Sequence, residues 1–322
     1  MKSVLVVTID VEPDCSPSWH YSNPLTFKGV DVGIGKILHP LFCKYGYIPT
    51  YLINNVVLED KNSVDVLSSL RNECELGTHL HPEFIAPEKE FDNYAGKKGS
   101  ANCCFYPKDV EFQKISNITN LFSNQFGFNP TSFRAGRFSA GANTILSLER
   151  LGYLVDTSVT PHVIWNDKSR EKPVDFSNAP EQPYWMDTQH ISNTAKSGKI
   201  LQVPVSIALK KRNPIKELVS SGAGILHPIR KYRNLWLRPY YSTAEEMIFI
   251  VNEFQRKYKD EQVIVYNLMF HNVEVLPGLS PYTNNEQQVH SYLRELEKFL
   301  SHCSSNHILP SRLSDLYELF RK

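Results

Sequence analysis

The sequence predicts an α/β fold in which parallel strands curl into a distorted (β/α) barrel, with helices packed outside it. Three observations carry this expectation. Short, continuously apolar segments alternate with longer segments of helical spacing along most of the chain. About seven strand-like segments can be counted, which suits an imperfect barrel better than a short open sheet. Titratable residues stand at the C-terminal ends of several of these strands, the edge where parallel α/β proteins form their sites.

The elements follow in order. Residues 4–8 are a continuous apolar run, as expected of a strand buried on both faces. Over 32–45, Ile34, Ile37, Leu38, Leu41 and Phe42 recur at helical spacing, and Pro40 is expected to kink the helix. Residues 50–53 read as a second strand, 64–70 as a helix capped by Asn62 or Ser63, and 75–81 as a third strand. A helix over 110–126 stops at Gly127. A strand at 132–138 leads to a helix at 142–151, ended by Gly152, and to a strand at 154–159. Residues 160–198 are polar, dotted with prolines and without a period, an irregular insertion whose length points to function or to hairpins that periodicity does not reveal. Alternation resumes with a strand at 200–207, a helix at 243–257, a strand at 263–270, a helix at 286–300 and a last helix within 311–320. There is no repeat of about 20–50 residues and no linker between compositional halves. Residues 1–322 are therefore expected to form a single domain with loop insertions.

Composition narrows the function. Of 322 residues, 41% are hydrophobic and 21% charged, ordinary for a globular protein. Lys+Arg 35 against Asp+Glu 34 leaves +1, which excludes bulk electrostatic capture of nucleic acid or an anionic membrane. The N-terminal apolar run is about five residues and ends in an acid, too short for a signal-peptide core or a membrane span. A cytoplasmic chain without a membrane span is expected. The six cysteines (Cys15, Cys43, Cys74, Cys103, Cys104, Cys303) contain no C-x-x-C and suggest reduced thiols, with the vicinal Cys103-Cys104 pair as a minor metal candidate. Asn117-Ile118-Thr119 fits the glycosylation pattern but is not expected to meet that machinery. Self-association is left open.

The chemistry gathers at strand ends. Asp10 and Glu12, two apart on an extended chain, point the same way and can share a site. His79 and His81 repeat that spacing, and imidazoles beside carboxylates make a fitting ligand set for Zn²⁺ or a similar ion. Arg134 and Arg137 flank a glycine, where one guanidinium can clamp a carboxylate. Asp156 and His271 close two further strands. Acid, histidine, arginine, acid and histidine together suit metal-assisted hydrolysis.

The ordered motifs TIDVE (8–12), ELGTHLHPE (75–83), FRAGRFS (133–139), GYLVDTSV (152–159), LQVPVS (201–206), WLRPYYS (236–242) and MFHNVEVLPGLSPY (269–282) resemble the polysaccharide deacetylase family, also called the NodB-homology family or carbohydrate esterase family 4. The likeness is to its branch with a D-V-E first motif and an H-L-H-P second motif. It implies a NodB-homology barrel and metal-dependent removal of N-acetyl groups from amino sugars. By position, Asp10 resembles the catalytic base, Arg134 the arginine that holds it and His271 the catalytic acid. Asp156 matches an acid associated with tuning that histidine, which it could orient and whose pKa it could raise. Glu12 and His79 match metal ligands. The second metal histidine usually comes four residues after the first. Glu83 stands there instead, with a histidine at His81, so the third ligand is His81 or Glu83. Strand geometry ranks His81 first. Glu12 replaces the more usual Asp. Arg137, Trp185, Trp236, Arg238 and Tyr282 are candidate substrate contacts, since aromatic faces suit sugar rings.

The expected function is a hydrolase, using a divalent metal ion such as Zn²⁺, that removes an N-acetyl group from an amino sugar of a surface-glycan precursor or an oligosaccharide. The alternatives are a catalytically silent carbohydrate-binding relative and an amidohydrolase acting on another C–N bond. Which sugar, and which metal in vivo, the motifs leave open.

Overall fold

The computed structural model describes residues 2–87, 89, 101–166, 173–211 and 232–321. The main sheet is built from β1 (Lys2–Val11), β2 (Pro49–Asn54), β3 (Glu75–Leu80), β4 (Ser132–Ala135), β5 (Val155–Asp156), β8 (Tyr184–Trp185), β9 (Leu201–Gln202), β12 (Val263–His271) and β13 (Leu309–Pro310). Two small hairpins lie outside it, β6 (Ile164–Trp165) with β7 (Val174–Asp175), and β10 (Ile207–Lys211) with β11 (Tyr232–Trp236).

The order is β12-β1-β2-β3-β4-β5-β9-β8, with β13 beside β1. Every neighbour pair from β12 to β9 is parallel, and only β8 joins antiparallel. The parallel run is the expected α/β barrel, curled but not fully laddered. Its far edges meet beyond β9, where the Ser206 N–H donates to the Asn267 carbonyl (3.2 Å) and the Asn267 N–H donates to Ser206 Oγ (2.9 Å).

The central strands are apolar because both faces are covered. Val4, Val6, Leu5, Val7 and Ile9 of β1 are all buried, as are Ile264, Tyr266, Leu268 and Phe270 of β12. Helices Lys108–Phe126, Ala142–Leu151, Ala244–Lys257 and Glu286–Ser305 turn apolar stripes onto this sheet.

Several sequence boundaries shift. The segment expected as one kinked helix begins as a π-helical stretch, Gly29–Leu38, in which the His39 N–H donates to Ile34 O five residues back. It continues as the α-helix His39–Tyr45, with Pro40 in its first turn, where a missing N–H costs little. Pro40 thus marks a change of winding. The cap of helix Lys61–Leu70 is Asp60, whose carboxylate accepts from Ser63 N (2.8 Å), in place of Asn62 or Ser63. The strand expected over 132–138 stops at Ala135, because Arg137 and Phe138 take left-handed φ of 53° and 52°. The strand expected over 200–207 splits, since Ile207 leaves the barrel to pair with Trp236.

Glu111 gives a pH-dependent expectation. It is buried, its Oε1 accepts from Thr144, and its Oε2 has no partner among the described residues. Burial pushes its pKa from 4.5 up to about 7, against the Thr144 hydrogen bond. The folded state therefore holds a proton that the unfolded chain releases. Stability is full below 4.5, falls as pH rises, and is flat again above about 7. The penalty at neutral pH is roughly 3 kcal/mol. Glu111→Gln should flatten this decline in urea unfolding followed from pH 4 to 8; an unchanged decline would contradict the assignment.

Candidate active site

Strand register brings the chemistry together. Asp10 pairs with His271 across β1 and β12, and His79 pairs with Arg134 across β3 and β4. The alternation of a strand then turns Glu12 to the same side as Asp10, and His81 to the same side as His79. Asp10, Glu12, His79, His81 and His271 point out of the C-terminal edge of the barrel into a cavity of about 380 Å³, which they line together with an aromatic wall.

Arg134 is completely buried and anchors the floor. Its Nη1 donates to Asp10 Oδ1 (2.6 Å), Nη2 to Thr8 Oγ1 (2.7 Å) and Nε to the Thr157 carbonyl (3.0 Å). Burial alone would raise the Asp10 carboxyl. Arg134, then His79 and His271, hold it below its ordinary value. Asp10 Oδ2 lies 3.9 Å from both His79 Nε2 and His271 Nε2.

Glu12 Oε1 is 3.2 Å from His79 Nε2 and 3.0 Å from His81 Nε2, and these three donor atoms lie within 4.8 Å of one another. The other ring nitrogens are already engaged: His79 Nδ1 faces the Arg134 carbonyl (3.1 Å) and His81 Nδ1 faces Glu83 Oε1 (3.2 Å). Oxygens of that kind only accept, so each Nδ1 carries the proton. In neutral rings both Nε2 lone pairs would then face a carboxylate oxygen. Three converging acceptors require positive charge among them, from protons on the rings or from one cation. Without an ion, burial disfavours the His81 cation, yet Glu12 and Glu83 push its pKa up to about 10. Burial likewise opposes ionisation of Glu12, but His81 and His79 keep it well below the usual range. Two imidazoles and a carboxylate form a fitting donor set for a zinc-like cation.

The segment after β3 is held from behind. Lys114, fully buried, donates from Nζ to the carbonyls of Pro82 and Ile85 (2.8 Å each) and to that of Pro87. On the opposite side, Glu12 and Asn272 exchange hydrogen bonds, Glu12 N to Oδ1 (2.9 Å) and Nδ2 to Glu12 O (3.1 Å). The π-helical stretch packs directly on this loop, where a Cβ on Gly33 would come within 2.8 Å of the Asn272 carbonyl.

His271 directs Nδ1 at Glu274 Oε1 (2.7 Å), which also accepts from the His271 N–H (3.0 Å) and from Arg238 Nη2. Tyr292 donates to Glu274 Oε2 (3.0 Å). Burial works against the Glu274 anion, but Arg238 and His271 keep its pKa low.

No protein-family model matches the chain, and no curated protein matches it. Solved structures do. A protein described as a polysaccharide deacetylase, from Mycobacterium smegmatis, matches 100% of this chain and 91% of its own at 13% identity, with a TM-score of 0.56. The chain has the NodB-homology fold. Other solved structures match as well. A branching enzyme from Pyrococcus horikoshii matches 100% of this chain and 71% of its own at 10% identity (TM-score 0.57). Puue allantoinase matches 99% and 89% at 12% identity (TM-score 0.54). These names span different chemistries, so the residues, not the fold, must decide the reaction.

Within the NodB-homology barrel, several expected site residues fall elsewhere. Asp156 was expected to orient His271, but its carboxylate accepts from Ser158 N (3.0 Å) and Ser158 Oγ (2.6 Å) and from the Gln202 amide. Burial pushes its pKa up to about 6, and Glu274 takes the place beside His271. The signal for Glu274 was present, an acid three residues after the histidine, which a single 3-10 turn folds back onto the ring. Glu83 is not in the converging triad; it sits behind His81. Arg238 does line the cavity, but it is 3% exposed, paired with Glu274 and stacked on Tyr241 and Tyr282 (4.7 and 4.8 Å), so its guanidinium is tied into the wall. Trp185 packs on Tyr317 (5.1 Å) in a separate apolar cluster and does not line the cavity. Trp236 stands behind the wall against Trp165 and Tyr241. Arg137 and Tyr282 do line it, joined by Trp19, Tyr21 and Trp165, which sequence reasoning missed.

Proposed function

We propose that this chain is a metal-dependent hydrolase that removes an N-acetyl group from an amino sugar. The observation that carries this reading is the convergence of three acceptor atoms, from Glu12, His79 and His81, beside both Asp10 and His271. Glu12, His79 and His81 would hold the ion, with Zn²⁺ the best fit to the donors. When bound, a divalent cation supplies Lewis-acid chemistry, favouring ionisation of water and drawing charge from an acyl oxygen.

The chain's own groups supply the proton transfers. Asp10, kept ionised by Arg134, takes a proton from water as general base. His271, with Nδ1–H held by Glu274 and Nε2 turned into the cavity, protonates the departing nitrogen. Water adds across the C–N bond, giving acetate and a free amine. Trp19, Tyr21, Trp165, Tyr241 and Tyr282 offer ring faces and polar tips to a sugar. An amino sugar of a surface-glycan precursor or an oligosaccharide fits such a wall.

A second reading, hydrolysis of another C–N bond in a small amide, is favoured by the fold match to an allantoinase. Acetate release from N-acetylated oligosaccharides by the zinc-loaded protein, lost on chelation and restored by zinc, is the expected result. Turnover of cyclic or simple amides with no acetate from any acetylated sugar would replace the first reading with the second.

The two ligand candidates separate by metal analysis. His81→Ala is expected to lose the ion, whereas Glu83→Gln should keep it with about 10–100-fold weaker affinity, the cost of losing a group that orients a ligand. Full retention by His81→Ala would return the ligand role to Glu83.

A further inference from the structure

Three unlike donor atoms also meet at the opposite end of β3. His39 Nε2 lies 3.0 Å from Glu73 Oε2, and Cys43 Sγ lies 3.7 Å from the same oxygen. All three donors are within 4.8 Å of one another. His39 and Cys43 are four residues apart on helix His39–Tyr45 and so share a face. Glu73 comes from the turn before β3, six residues ahead of His79, which puts it roughly 20 Å along an extended strand from the cavity.

The cluster has the features of a metal site. Zinc bonds of about 2.0–2.3 Å at tetrahedral angles place ligand atoms roughly 3.3–3.7 Å apart, close to the separations seen. The His39 ring is buried and oriented, with Nδ1 3.1 Å from the hydroxyl of buried Tyr51. A hydroxyl can donate or accept, so it supports either tautomer: Nε2–H on Glu73 without an ion, or Nδ1–H on Tyr51 with Nε2 free to ligate. Cys43 and Glu73 face solvent, which leaves an entry path.

We propose that His39, Cys43 and Glu73 form a second metal site, selective for zinc-class divalent cations and separate from the cavity. Nitrogen, sulfur and carboxylate donors favour such ions over Mg²⁺ or Ca²⁺. Binding converts the Cys43 thiol to thiolate, releasing one proton per ion to solvent, and leaves a fourth position for water. The ion would clip the outer helix to the turn that launches β3. This inference does not depend on the reading of the cavity.

Cobalt separates the two sites, because the Glu12–His79–His81 set contains no thiolate. Titrating the full-length His79→Ala variant with Co²⁺ should give a thiolate-to-cobalt charge-transfer band that saturates at one ion per chain and is bleached by Zn²⁺. Cys43→Ser in that background should abolish the band, and Glu73→Gln should weaken cobalt binding at least about tenfold. Zinc should raise the thermal midpoint of His79→Ala but not of His79→Ala/Cys43→Ser. No band at stoichiometric cobalt, or a band that survives Cys43→Ser, would overturn the site.

Discussion

Replacing Arg134 with methionine is expected to lower the unfolding free energy by about 3–5 kcal/mol, the cost of stranding a buried charge. Arg134 is fully buried, and its guanidinium bonds Asp10, Thr8 and Thr157 at once. Methionine fills much of the volume but leaves the Asp10 carboxylate 2% exposed without its cation. The sign of the pH effect follows. The folded pKa of Asp10 is depressed below 3.8, so its favourable contribution is present above that value and is lost as pH falls through the lower folded pKa. The gap between the variant and the wild type should therefore narrow in acid. Adding Asp10→Asn should recover much of the loss, since the stranded charge is gone. Urea midpoints of the two single variants and the double variant test this. An Arg134→Met protein that unfolds at the wild-type midpoint would show that the pair is not the anchor of the barrel floor.

Asp10→Asn is expected to slow turnover about 10²–10⁴-fold, the usual worth of a positioned general base, while metal content stays at the wild-type level. The substitution keeps an oxygen for Arg134 Nη1, and none of the three converging donor atoms belongs to Asp10. A loss in kcat with an unchanged ion thus isolates proton removal from ion holding. Substantial activity in a fully metal-loaded Asp10→Asn protein would remove Asp10 as the base.

The floor of the cavity was legible because it lies on strands or one residue past them. Asp10, Glu12, His79 and His81 obey a period of two, and each apolar run ends where the barrel ends. The aromatic wall was not legible. Trp19, Tyr21 and Trp165 sit in turns and short bridges whose spacing carries no period, so nothing local marks them as part of the cavity wall. Asp156 misled for a related reason. Its carboxylate is taken up by Ser158, two residues on, and by Gln202 of the neighbouring strand β9. Ser63 failed as a cap because Asp60, three residues earlier, offers a carboxylate to its N–H.

The junction between Ser206 and Asn267 contrasts with the unbroken ladder from Lys2 to Asp10 on the other flank of β12. Scattered bonds from Gln182, Ser206 and Leu237 tether one flank of that strand; a continuous series rivets the other. Breathing motions will concentrate at the weak flank, and amide deuterium uptake should begin at 203–206 long before β1 exchanges. The hairpin of β10 and β11 rides on the yielding side, with Arg238 and the tyrosine stack just after it, whereas Asp10 and His271 sit across the riveted one. The mouth of the cavity can therefore gape for a bulky guest while Asp10 and His271 keep their spacing.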